Sequence, residues 1–115
     1  MVFFSLPLAL PNISFASAGY YPIEKGEVLN AEVCVPKNTK PPLSLQIHSG
    51  NGKAVKVATV KSIPKSSGDC NKNERKVFIN WRVDRTGMYG LSFYSAKSKS
   101  TFIGWPDGIE VKVFE

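Results

Sequence analysis

The chain contains a single histidine, His48, and that scarcity removes most hydrolytic and metal chemistry at once. A Ser-His-Asp triad would have to be built on His48, which the local pattern places mid-strand on the face opposite Leu45 and Ile47, with no nucleophile elbow beside it; it reads as a solvent-facing side chain. A blue-type copper site needs two histidines and a cysteine, and a polysaccharide-cleaving copper site needs a histidine at the mature N-terminus, so both are excluded. The acidic residues are few and isolated, against the clustering that a cadherin-type calcium site requires. A glycosidase needs only two carboxylates, and Asp69, Glu74, Asp84 and Asp107 are available, but spacing across loops does not give their separation. No phosphate-cradling glycine loop is present. The reading is of a non-enzyme with no metal and no cofactor.

Runs are also missing. No segment reaches the roughly twenty apolar residues needed to cross a bilayer, and no block of five or six like charges occurs. Lys and Arg number 15 against 9 Asp and Glu, giving a net charge of +6, but the basic residues are scattered and form no recognition-helix pattern. That argues against a dedicated nucleic-acid binder. The charge serves solubility first, and it draws the protein toward acidic surfaces by an attraction that salt screens.

The opening MVFFSLPLALPNISFASA carries no charge and ends in Ala16-Ser17-Ala18, the small residues that signal peptidase reads. It is expected to be an export signal cut at Ala18/Gly19, although the positive n-region is missing and Pro7 and Pro11 interrupt its apolar core. A buried first strand would lose a ladder hydrogen bond at each proline. No cysteine follows for lipid attachment, so a free, monomeric protein is expected outside the cytoplasm: secreted, periplasmic or on the cell surface. Residues 19–115 then form one domain.

Two cysteines, Cys34 and Cys70, are an even number in such a domain and are expected to pair. A loop of that length gives about 3.5 to 4 kcal/mol on the chain-entropy estimate, a structural contribution. A redox pair would call for Cys-x-x-Cys spacing.

What is present is alternation. KVFINWRVDRTGMYGLSFY, residues 76–94, reads as strand, corner, strand: Val77, Ile79, Trp81 and Val83 face one way, Phe78, Asn80 and Arg82 the other, and Tyr89, Leu91 and Phe93 resume the inward spacing after Asp84-Arg85-Thr86-Gly87. A tyrosine there can return its hydroxyl to the corner backbone while its ring stays in the core. Earlier strands are expected at Tyr20 to Ile23, where Tyr20 and Tyr21 form an edge-strand pair, and at Val28 to Val35, with Leu29, Ala31, Val33 and Val35 inward and Asn30, Glu32 and Cys34 outward. Leu43, Leu45 and Ile47 mark the next strand, and Ser49-Gly50-Asn51-Gly52 is a hairpin turn into Ala54 to Val57, whose alternation fades near Val60. Residues 61–75 read as a polar loop, and Gly108 to Glu115 as the last strand. No helix of ten residues and no repeat is evident.

Seven strands with a corner tyrosine resemble the immunoglobulin-like domains of bacterial secreted and surface proteins, chiefly through WRVDRTGMYGLSF, residues 81–93, where Trp81, Gly87 and Tyr89 stand as that family's Trp, corner glycine and tyrosine. The resemblance implies an all-β, immunoglobulin-like antiparallel β-sandwich of Greek-key type, and roles in binding, adhesion or spacing. It departs from antibody domains in having Leu91 where their second core cysteine follows the tyrosine, so no antibody-type core disulfide is implied.

The longest connection between strands, Ser95 to Asp107, is the candidate contact surface: Trp105 and Phe102 would stack on a sugar ring while Lys97 and Lys99 meet its carboxylate or phosphate groups. The competing reading, which is preferred, has Phe102, Ile103 and Trp105 tucked under the loop to close the core. Function therefore reads as a non-catalytic interaction domain for a protein partner or a structural surface role, and alternatively as a carbohydrate- or cell-wall-binding module for an acidic glycan.

Overall fold

A computed structural model describes residues 19–50, 52–106 and 110–115; the export-signal reading and Ile109 lie outside them. Among the described residues the architecture is all-β, with eight strands in two sheets. They are β1 (Tyr20–Glu24), β2 (Val28–Pro36), β3 (Leu43–His48), β4 (Ala54–Val60), β5 (Glu74–Arg82), β6 (Gly87–Ser95), β7 (Ser100–Phe102) and β8 (Glu110–Phe114). The larger sheet runs β1-β8-β6-β3-β4, with β7 added beside β6, and the smaller is the β2–β5 pair. Every pairing is antiparallel except β1 with β8, which is parallel, a departure from the all-antiparallel expectation.

Alternation decides the core. Leu29, Ala31, Val33 and Val35 of β2 and Val77, Ile79 and Trp81 of β5 are buried against Leu43, Leu45 and Ile47 of β3, Phe93 of β6 and Val111 and Val113 of β8, so the inner faces of both sheets make one apolar cluster. The polar loop expected over 61–75 gives up its last two residues to β5, because Glu74 and Arg75 continue the β2 ladder opposite Pro36 and Val35. β7 was not legible as a strand: three residues, Ser100, Thr101 and Phe102, are too short for period two to show, and their pairing with Ser95, Tyr94 and Phe93 alone defines them.

The corner forms as expected. Tyr89 donates its hydroxyl to the Thr86 carbonyl at 2.6 Å, and its ring packs half-buried against the core. Arg85 grips Asp84 through two hydrogen bonds of 2.9 and 3.2 Å, which hold the Asp84 carboxyl below its ordinary range. Gly87 sits at φ +125°, a conformation L side chains avoid, beside the Tyr89 hydroxyl. Tyr89→Phe should therefore cost about 1 kcal/mol, the net value of one hydrogen bond, read as a lower urea midpoint at unchanged slope.

Cys34 and Cys70 are joined, with their Cα atoms 5.8 Å apart, closing 36 residues. The bridge ties Cys70 to the outward side of β2, and at the free edge of β5 Lys76 donates its backbone N–H to the Ser66 carbonyl at 3.1 Å.

Candidate functional site

The four binding residues expected from the sequence part company. Phe102 is the cross-strand partner of the fully buried Phe93 and points into the sandwich, so it does close the core. Lys97 and Lys99 sit in the β6–β7 turn, which is tied to the loop between β2 and β3: Lys40 donates its N–H to Ser98 Oγ at 2.8 Å, and Ser95 Oγ donates to the Lys40 carbonyl at 2.6 Å. Trp105 instead crosses to the other sheet. It exchanges two hydrogen bonds with Glu32 in the middle of β2, its N–H to the Glu32 carbonyl at 2.7 Å and the Glu32 N–H to its own carbonyl at 3.1 Å. The lysines flank the Ser100 end of β7 while Trp105 follows its Phe102 end and pairs with Glu32, so the strand separates them.

Nor is the preferred core-closing reading met for the rest of the loop, since Ile103 is 62% exposed and Trp105 43% exposed. The cause is Gly104. A Cβ there would lie 2.2 Å from the Glu32 carbonyl oxygen and under 3 Å from Val33 and Phe93, so only glycine lets the segment lie flat against the edge of β2. Once it does, period two turns Trp105 outward with Glu32. Tyr21, from edge strand β1, meets the indole edge-on at 5.2 Å between centroids and limits its rotation.

Residues that the sequence reading did not single out complete the site. Glu32 is paired with Trp105 on one side and with Phe78 of β5 on the other, so the three side chains leave the same face in a row. Two inter-strand steps put the aromatic residues about 10 Å apart at Cα. Phe78 is 57% exposed. Behind the row, Lys76 makes ion pairs with Glu32 and with Asp69, the latter at 2.7 Å, and its ammonium stands 5.9 Å from the Phe78 ring. The hydrogen bond and charge of Lys76 hold the Asp69 carboxyl below its ordinary range, and Asp69 and then Glu32 raise the Lys76 ammonium.

Glu32, Lys76 and Phe78 form one wall of a groove of about 450 Å³, and the disulfide-pinned loop, through Pro64, Ser66, Gly68 and Asp69, forms the other. The signal for it was in the chain: the outward set of β5 contains a phenylalanine, and that of β2 a glutamate.

His48 is not the solvent-facing, mid-strand residue expected. It ends β3, is half-buried, and its Nε2 lies 2.7 Å from Ser92 Oγ across the β3–β6 ladder. Ser92 is only 5% exposed and lies on a continuous sheet face, so the pair satisfies two polar groups in a covered position. Cys34 and Cys70 also lie near the Glu74 carboxylate, but their sulfurs are spent on each other and offer no thiolate to a metal. Among the described residues no helix is long and apolar enough to cross a membrane. Comparison with known proteins leaves the site to speak for itself: no family model, no curated protein and no solved structure matches this chain.

Proposed function

We propose that this protein is a non-catalytic binding module, an immunoglobulin-like sandwich working outside the cytoplasm, and that its ligand is a carbohydrate chain laid across the outer face of β2 and β5. The observation that carries this reading is the row Trp105, Glu32, Phe78: two exposed aromatic residues flanking a carboxylate on one sheet face, beside a groove. The C–H face of a pyranose ring stacks on an aromatic ring while its hydroxyls seek charged hydrogen-bond partners. The groove volume of about 450 Å³ falls within the roughly 300–1,000 Å³ usual for small-ligand sites. The closed disulfide supports an oxidising compartment.

The protein-partner reading would draw most support from an open sheet edge, and both ends of the larger sheet are blunted. Pro22 interrupts the donors of β1, and β4 is bulged at Val57, with Lys56 beside the bulge. Both are devices that discourage strand addition.

The test is retention on insoluble polysaccharide across a salt series, with Trp105→Ala alongside. Because the indole is half exposed, the variant should lose only about 1 kcal/mol of stability while affinity falls roughly tenfold or more. Retention that survives high salt and disappears in Trp105→Ala supports the proposal. Retention that salt abolishes equally in both proteins refutes it, leaving a basic domain whose partner is a protein.

A further inference from the structure

Resting on the carbohydrate reading, we infer that the groove selects a sugar chain bearing a free amine, with the ring stacked on Phe78 and the ammonium held by Asp69 and Glu32. The inference reverses the acidic ligand that the overall charge suggests. The domain carries +6, yet the groove holds two carboxylates, Glu32 and Asp69, against one ammonium, Lys76, a local charge of −1. The lysines that would have met an acidic sugar, Lys97 and Lys99, belong to the β6–β7 turn, which is tied to Lys40 in the β2–β3 loop.

The free hydrogen-bonding capacity is on the acidic side. Lys76 is only 13% exposed at its side chain and is spent on both carboxylates, whereas the Asp69 side chain is 81% exposed and bonds Lys76 through Oδ1. What the groove offers a ligand is therefore acceptors, beside an aromatic face that itself favours a cation. An ammonium on a pyranose ring satisfies both at once: a charge-assisted hydrogen bond to the carboxylate and a C–H face on the ring. A uronic acid would bring a second negative charge against Asp69. The general repulsion between the +6 domain and a cationic ligand fades over the Debye length of about 8 Å at physiological salt, while the contact with Asp69 is direct.

The experiment is calorimetric titration of the intact, oxidised protein at about pH 6, where an amine remains an ammonium, with short β-linked oligomers of glucosamine, N-acetylglucosamine, glucose and a uronic acid. Asp69→Asn and Trp105→Ala are measured alongside, with melting temperature as the folding control. Asp69 is exposed in a loop whose disulfide stays closed, so Asp69→Asn should fold. The expected result is glucosamine binding about tenfold tighter than glucose, no tighter binding of the acetylated or acidic oligomers, and closure of the glucosamine advantage in Asp69→Asn. If glucosamine and glucose bind equally and Trp105→Ala weakens both, the amine preference is overturned while the carbohydrate reading stands. Preference for the acidic oligomer overturns the inference in the same way. If none of the four binds, both fall.

Discussion

Replacing Gly104 with alanine should destabilise the protein by about 3 kcal/mol and abolish ligand retention, although the substituted residue bears no functional group. The added Cβ would stand 2.2 Å from a backbone carbonyl oxygen, 2.8 Å from Val33 Cβ and 2.9 Å from the ring of Phe93, all parts of the molecule that cannot swing aside. Phe93 is fully buried and Glu32 is held in the β2–β5 ladder, so the segment carrying Trp105 has to come away from β2 and break its hydrogen bonds at 2.7 and 3.1 Å. Overpacking a well-filled site costs about 1–3 kcal/mol, and each lost hydrogen bond adds about 1. Gly90→Ala is the control: nothing lies within 4 Å of a Cβ there, so it should be neutral to within about 0.5 kcal/mol. A Gly104→Ala protein with wild-type denaturation and wild-type retention would show that the close approach does not position Trp105.

Removal of the Cys34–Cys70 bridge, by reduction or by paired substitution to serine, should lower the unfolding free energy by about 4 kcal/mol, the chain-entropy value for a 36-residue closure. Native stabilities run roughly 5–15 kcal/mol, so the reduced protein would be marginal. Its effect on the site is separable. The loop from Pro64 to Asp69 forms one wall of the groove, and without the bridge it is held to β5 by a few polar contacts, among them Lys76 to Ser66 at 3.1 Å, Arg75 to Ser67 at 3.3 Å and the Lys76–Asp69 ion pair at 2.7 Å. Amide exchange in this loop should accelerate before the strands lose protection. Equilibrium denaturation of oxidised and reduced protein checks the first claim. A difference under about 1 kcal/mol would mean that the unfolded chain gains little freedom from cleavage.

The strands and the core were legible because they depend on neighbours in the chain. The outward and inward sets of β2 and β5 follow from period two alone, and Leu29, Ala31, Val33, Val35, Val77, Ile79 and Trp81 are all buried as that period requires. The Tyr89 corner was legible for the same reason, with donor and acceptor three residues apart. The site was less so. Trp105 was visible as a candidate, but its burial turned on Gly104 meeting the Glu32 carbonyl across the sandwich.

The sequence by itself determined an all-β chain, the face on which the alternating strand residues sit, and a pair of cysteines, since these are local or compositional properties. Only the tertiary structure decided which strands became neighbours. Glu32 lies between Trp105 and Phe78 because β2 accepts a different partner on each of its two edges, and no period in the chain encodes that choice. The same pairings carried Lys97 and Lys99 away, folded Asp69 over β5 through the disulfide, and left a −1 groove on a +6 protein. Net charge is a sum over the chain and is blind to position, whereas a binding site responds to the few charges that the fold brings within hydrogen-bond reach.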